Sequence, residues 1–149
     1  MNIVFRWFGE QDDHISLDEI RQIPGIDGVV TALYQIPVGE VWPLEDIKQL
    51  KNTVNAYDLS FEVIESVNIH EDIKLGLSTR DEYIENYKET IKNLSKVGVK
   101  VICYNFMPIF DWIRTELNMP LDDGSETMFY EHRQLQEITP KELIDDMLS

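Results

Sequence analysis

Four short apolar runs alternate with amphipathic helical patterns through residues 3–106, and this alternation limits the possible folds more than any other feature of the chain. The runs are predicted to be strands, and they cover Ile3–Phe8, Gly28–Tyr34, Leu59–Val67 and Val99–Phe106. Strands that are each followed by a helix form parallel sheets with right-handed crossovers. The fourth run is almost entirely apolar, which is typical of a parallel strand buried on both faces. The predicted fold class is therefore α/β with a parallel sheet.

Three helices are predicted between these strands. The first begins with a capping box, in which Ser16 accepts from the backbone of Glu19 and the Glu19 side chain reaches back. The second follows Pro43, and its apolar face is formed by Leu44, Ile47, Leu50, Val54 and Tyr57. The third is predicted to open with a capping box at Thr79-Arg80-Asp81-Glu82 and to end at a Gly98 cap, with Tyr83, Tyr87, Ile91 and Leu94 on one side.

Two architectures fit this order of elements. One is an open, doubly wound sheet, and the other is the first half of a TIM (β/α)8 barrel, which takes about 250 residues when complete. Periodicity alone does not separate them. The alternation stops after Pro108, where we expect a helical turn over Asp111–Met119, a turn at Asp122–Gly124 and a final helix from Thr139 to Met147. Residues 111–149 are therefore predicted to begin a helical insertion or lid in the same domain as residues 1–110.

The charge of the chain argues against several classes of partner. Asp and Glu number 28 against 13 Lys and Arg, so the formal net charge is −15, and this repels nucleic acids and anionic membranes. The first residues do not form a signal peptide, and no apolar run reaches the roughly 20 residues that span a bilayer. The single cysteine, Cys103, excludes an intrachain disulfide. We therefore expect a cytoplasmic protein without nucleic-acid or membrane partners.

Polar and aromatic side chains follow each predicted strand, where parallel α/β folds bind their ligands. We assign five candidate substrate-binding residues to this edge: Arg6, Trp7, Tyr34, His70 and Asn105. Arg6 is suited to a substrate carboxylate, although a buried arginine also requires a partner such as Glu65. The sequence contains no GxGxxG, HExxH or GxSxG motif, which disfavours nucleotide-binding, zinc-protease and serine-hydrolase functions.

Several long segments resemble the mannonate dehydratase family, in the order in which that family carries them. They are Arg6–Gly9 with Asp12-Asp13, Ile20–Tyr34, Ile36–Pro43, Glu62–Lys74, and Ile102–Pro108 with Asp111-Trp112 and Arg114-Thr115. The resemblance implies a xylose-isomerase-like barrel, of which this chain would supply the first four βα units. It also implies a carbon–oxygen lyase that converts D-mannonate to 2-dehydro-3-deoxy-D-gluconate and water in hexuronate breakdown, with Mn²⁺ or Fe²⁺.

Members of that family are more than twice as long as this chain, and their metal ligands come from later strands. The resemblance therefore assigns no metal ligand here, and the catalytic residues are expected beyond Ser149. The chain alone is expected to bind no metal, to be inactive, and either to self-associate or to need a carboxyl-terminal half. Two alternatives remain open: a fragment of a related sugar isomerase or epimerase, and a non-catalytic remnant that associates with another chain.

Overall fold

The computed structural model describes residues 1–108, 114–136 and 139, and the chain divides into two compact units, Met1–Pro108 and Ile109–Ser149. The first unit alternates strands and helices in the order β1 (Val4–Arg6), α1 (Leu17–Arg21), β2 (Gly28–Thr31), α2 (Leu44–Asn55), β3 (Ser60–Glu65), α3 (Glu71–Leu75), α4 (Arg80–Lys96) and β4 (Val101–Cys103). In the second unit, the described residues form β5 (Glu116–Pro120), β6 (Glu126–Phe129) and α5 (His132–Gln136).

The sheet of the first unit is parallel, with the strand order β1-β2-β3-β4. A doubly wound sheet would reverse its order at the first strand, whereas a (β/α)8 barrel adds each new strand beside the last. Because right-handed crossovers that all run in one direction place their helices on one side, the sequential order also separates the two faces of the sheet. The prediction of a partial barrel is confirmed.

The core of the first unit lies between the sheet and the helices. Val29 and Ile64 from the sheet, Ile47 and Val54 from α2, and Leu94 from α4 are fully buried. Each aliphatic side chain of this size contributes roughly 1.5–3 kcal/mol when it leaves water. The apolar face predicted for α2 is thus confirmed, because Ile47 and Val54 are fully buried and Leu44, Leu50 and Tyr57 are partly buried against the core.

The ends of the helices follow the predictions in two of three places. Ser16 and Glu19 form the complete capping box at α1, and Gly98 adopts a left-handed conformation directly after α4. The capping box predicted at Thr79 is wrong, because Thr79 has a helical conformation and its hydroxyl accepts no hydrogen bond from the start of α4. The hydroxyl donates to the Asp72 carboxylate. The start of α4 is therefore tied to α3, a helix that the sequence analysis did not predict.

Three further expectations are wrong. The fourth strand is not buried on both faces, since Val101 on this outer strand is 49% exposed. Ile91 is exposed on α4, where the buried positions are Thr90, Asn93 and Leu94. Part of the helical turn predicted over residues 111–119 is strand β5, whose alternating polar and apolar residues pair with β6 through the predicted turn at Asp122–Gly124.

The final helix predicted from Thr139 falls almost wholly outside the described residues. Among the residues that are described, no helix combines the length and the apolar character needed to cross a membrane.

Candidate functional site

An ion pair marks the carboxyl-terminal edge of the sheet. Arg6 and Glu65 are the last residues of β1 and β3, and the Arg6 Nη1 atom lies 3.2 Å from Glu65 Oε2, across the intervening strand β2. The guanidinium also packs on the Phe8 ring, with Arg6 Cζ 4.8 Å from the ring centroid. Glu65 is therefore the partner that the sequence analysis named for Arg6.

The ion pair leaves part of the Arg6 guanidinium available. Its Nε atom is buried and has no hydrogen-bond partner, while the side chain as a whole remains 33% exposed. A buried N–H without an acceptor costs about 1–3 kcal/mol. The exposed part of the guanidinium can still bind a ligand oxygen, so Arg6 is suited to an anionic group even with Glu65 in place.

The Arg6 side chain lines a cavity of about 200 Å³ beyond the ends of β1, β2 and β3. Its walls come from the loop after β2, the segment after β3 and one face of α4, and they include Tyr34, His70 and Tyr87. Arg6 is the only Lys or Arg among the described residues that line it, and Glu40 is the only Asp or Glu. Burial raises the pKa of the Tyr87 hydroxyl above its usual value, with a smaller contribution from Tyr104, so Tyr87 remains a neutral hydroxyl at pH 7.

The five candidate residues do not form one cluster. Arg6, Tyr34 and His70 line the same cavity. Trp7 is only 2% exposed and belongs to the core, although it reaches the base of a neighbouring groove that it shares with Tyr34. Asn105 is half-buried after β4 and is not among the residues that line the cavity. Of the five residues predicted to share this edge, three line one cavity.

His70 is placed by α3 and α4 rather than by β3. It is the N-cap of α3, and its Nδ1 atom accepts a hydrogen bond from the Asp72 backbone N–H at 3.1 Å. Its ring stacks on Tyr83, with 3.7 Å between the centroids and 15° between the planes. Neither contact was predicted from the sequence, although His70-Glu71-Asp72 has a capping side chain followed by the acidic residues that favour a helix start.

Three polar residues of α4 hold the loop after β2 that forms the outer wall of the cavity. The Asn86 side chain donates to the Gly39 carbonyl at 2.9 Å, and Asn93 donates to the Trp42 carbonyl at 3.0 Å. Between them, Thr90 Oγ1 accepts from the Trp42 backbone N–H at 3.1 Å. These residues are spaced four and three apart, so they share one helix face, a polar stripe that a search for apolar periodicity does not detect.

The described residues do not fit a divalent metal on their own. No three His, Cys, Asp or Glu side chains converge within residues 1–108, 114–136 and 139. The acidic pairs are engaged locally where the structure shows them: Asp13 accepts from two backbone N–H groups of its own loop, and Asp123 accepts from Ser125. The site therefore provides hydrogen-bond donors, one cation and aromatic walls.

Comparison with known proteins relates the chain to one family. The family model described as D-mannonate dehydratase (UxuA) matches residues 1–149. A mannonate dehydratase of Thermotoga petrophila is 67% identical over 144 residues, which are 97% of this chain and 40% of that protein. Mannonate dehydratase 1 of Halalkalibacterium halodurans is 57% identical over 149 residues, which are 100% of this chain and 41% of that protein.

A solved structure agrees with these matches. The crystal structure of mannonate dehydratase from Streptococcus suis serotype 2 superposes with a TM-score of 0.89 and 47% sequence identity, over 99% of this chain and 42% of that one. The chain thus spans about 40% of the length of the curated relatives that it matches.

Proposed function

This chain belongs to the D-mannonate dehydratase family, and on that premise we propose that its cavity forms one wall of the sugar-acid site of a mannonate dehydratase. The reaction would be the hydro-lyase conversion of D-mannonate to 2-dehydro-3-deoxy-D-gluconate and water. The observation that carries the proposal is Arg6, whose side chain is 33% exposed and lines the cavity together with Tyr34, His70 and Tyr87.

The chemistry of the cavity suits a polyhydroxy acid. An arginine binds a carboxylate through charge-assisted hydrogen bonds, which are about twice as strong as neutral ones. Tyrosine hydroxyls and an imidazole donate to hydroxyl and carboxylate oxygens, and the aromatic rings cover the carbon chain. Since the whole chain is strongly acidic, the local cation at Arg6 is needed to attract an anion.

Elimination of water from such an acid requires more than these residues supply. A base must take the C2 proton, an acid must protonate the departing C3 hydroxyl, and the enolate-like charge must be stabilised. Arg6 lies in the cavity as a permanent cation that can hold the carboxylate and oppose that charge. The neutral Tyr87 hydroxyl can donate a hydrogen bond to a substrate oxygen.

We also propose that the Mn²⁺ or Fe²⁺ of the family reaction is not bound by this chain alone, and that activity needs residues besides those described. Support comes from the absence of a converging ligand set in the part of the chain that the structure describes. A cytoplasmic location belongs to the same proposal, because the unpaired Cys103 suits a reducing compartment.

The proposal can be tested with a chimera that joins residues 1–149 to the remaining part of the Thermotoga petrophila relative. We expect the chimera to form the keto-deoxy acid from D-mannonate in the presence of Mn²⁺. Substitution Arg6→Met should lower kcat/KM at least about tenfold, the size of one charge-assisted contact. The matched control is Arg21→Met, which removes an exposed arginine of α1 that pairs with Asp18.

Two results would contradict this function. One is an inactive chimera under conditions in which the unaltered relative is active, which would favour a non-catalytic role for the chain. The other is equal kcat/KM for the Arg6→Met and Arg21→Met chimeras, which would remove Arg6 from the substrate site.

A further inference from the structure

We propose that His70 is a hydrogen-bond donor to the sugar acid, fixed as the neutral tautomer with its proton on Nε2, and that it is not the base of the reaction. The inference rests on the proposed function for the identity of the ligand. The tautomer itself follows from contacts that His70 makes within the chain.

The Nδ1 atom of His70 is already used as an acceptor. The Asp72 backbone N–H points to it with an N···N distance of 3.1 Å, within the range of a hydrogen bond. The Asp72 carboxylate is the alternative partner, but its Oδ1 atom is 3.6 Å from Nδ1, which is too long for one. Because an N–H group can only donate, Nδ1 must be unprotonated, and the neutral ring then carries its hydrogen on Nε2.

The His70 ring is held by Tyr83 at one face and by Gly39 at one edge. Its face stacks on Tyr83, and its edge lies against Gly39, where a Cβ atom would be only 2.9 Å from His70 Cδ2 and 2.6 Å from the Tyr83 ring. Gly39 has a φ of +93°, a conformation that favours glycine. A 180° ring flip would put Cδ2 in the place of Nδ1 and would also remove the cap of α3.

These contacts limit what His70 can do in the cavity. His70 lines it, and Nδ1 faces α3, so Nε2–H is the polar group left for a ligand. The other titratable or charged groups among the described lining residues are Arg6, Tyr34, Glu40, Tyr83 and Tyr87. Arg6 and His70 are then both donors, a pair that favours an oxygen-rich anion. A nitrogen that already carries its proton cannot take the C2 proton, so the base must be another group.

The tautomer can be read directly, without any ligand, by long-range ¹H–¹⁵N correlation spectra of the full chain at neutral pH. The chain has three histidines, and the signals that His70→Asn removes identify those of His70. We expect a protonated Nε2 and an unprotonated Nδ1, both in the unaltered chain and in Asp72→Asn, which retains the backbone N–H. A proton on Nδ1, or a tautomer that changes in Asp72→Asn, would overturn the proposal.

The donor role can be measured by titrating D-mannonate into the full chain and two variants. His70→Asn preserves the cap, because asparagine is a good N-cap residue, but its shorter side chain withdraws the donor. We expect its Kd to rise about 2- to 12-fold, the effect of one neutral hydrogen bond. His14→Asn changes an exposed histidine outside the cavity and should bind as the unaltered chain does.

The outcomes separate the two proposals. Equal affinity of His70→Asn and the unaltered chain would refute the donor role while leaving the function intact. If only the chimera described above binds D-mannonate, the same two variants are compared in the chimera. If neither the unaltered chain nor the chimera binds it, the proposed sugar-acid wall is contradicted instead, and the ligand-free spectra alone decide whether His70 is a fixed donor.

Discussion

The hydrogen bond between Thr90 and Trp42 offers a sharp test of how the cavity wall is held. Thr90 is 1% exposed in the middle of α4, and its hydroxyl accepts the backbone N–H of Trp42, itself 6% exposed. Replacement Thr90→Val substitutes a methyl group of similar size, so the surrounding packing is retained. The variant removes the acceptor and leaves the Trp42 N–H buried without a partner.

The expected loss of stability follows from two opposing effects. An unsatisfied buried N–H costs about 1–3 kcal/mol. Removal of the buried hydroxyl relieves part of its own desolvation cost, an offset of about 0.5–1 kcal/mol. We therefore expect the free energy of unfolding to fall by about 1–2 kcal/mol, which corresponds to a decrease in Tm of about 2–8 °C for a chain of this size.

The measurement is urea and thermal unfolding of the full chain by circular dichroism, with the m-value monitored to show that the unfolded state is unchanged. The matched control is Thr53→Val, the same substitution on α2. Thr53 is half-exposed, and its hydroxyl makes no hydrogen bond to the described residues. This control should shift the free energy of unfolding by no more than about 0.5 kcal/mol.

Equal stability of Thr90→Val and Thr53→Val would refute the reasoning, because it would mean that Thr90 does not satisfy the Trp42 N–H. A loss well above about 3 kcal/mol would also contradict it, since one unsatisfied N–H cannot account for that much.

Three further predictions address other parts of the chain. Gly39→Ala should destabilise the chain by about 1–3 kcal/mol in urea unfolding, because it combines a positive φ with contact against the Tyr83 and His70 rings; an unchanged midpoint would show that the loop can move away. Hydrogen bonds from the Ser16 backbone N–H and hydroxyl lower the pKa of Glu19 below its ordinary 4.5, so the carboxylate stabilises the fold above that pH and ceases to do so as the pH falls through the lowered value. The difference in Tm between Glu19→Gln and the unaltered chain should therefore be largest near pH 7 and vanish in acid, and a difference independent of pH would be inconsistent with this origin. Finally, the full chain alone should show no turnover of D-mannonate with excess Mn²⁺ and a mass above that of one copy in light scattering, because its outer strands expose apolar residues; turnover within about tenfold of a typical 10 per second would show a complete site.

The parallel direction of the strands could be predicted from the sequence because it depends on local patterns, whereas their sequential order was predicted only through the resemblance to a family. Apolar runs separated by helical periodicity require parallel strands, and the observed order is sequential. The capping box of Ser16 with Glu19 and the left-handed Gly98 are likewise short-range features, in which the interacting groups are three or fewer residues apart or belong to one backbone turn. The Arg6–Glu65 pair was also accessible, because parallel strands end at a common edge.

Predictions from local patterns were wrong where a distant segment contacts the same helix. Thr79 has the spacing of a capping box, but its hydroxyl bonds to Asp72 on α3 instead. Ile91 fits the apolar face of α4, yet the buried positions are Thr90 and Asn93, because the loop after β2 presents unpaired backbone groups there.

The candidate site itself was decided by tertiary structure. The sequence placed the five residues at strand ends, but only the fold moved Trp7 into the core and left Arg6, Tyr34 and His70 around one cavity. The chemistry of His70 depends on a helix that begins beside it and on a ring 13 positions further along the chain. Periodicity indicates which side of an element is apolar. The partner of each buried polar atom, in contrast, can lie about fifty residues away along the chain. The tertiary structure decides these partners, because a buried donor needs an acceptor and only the fold brings the two together.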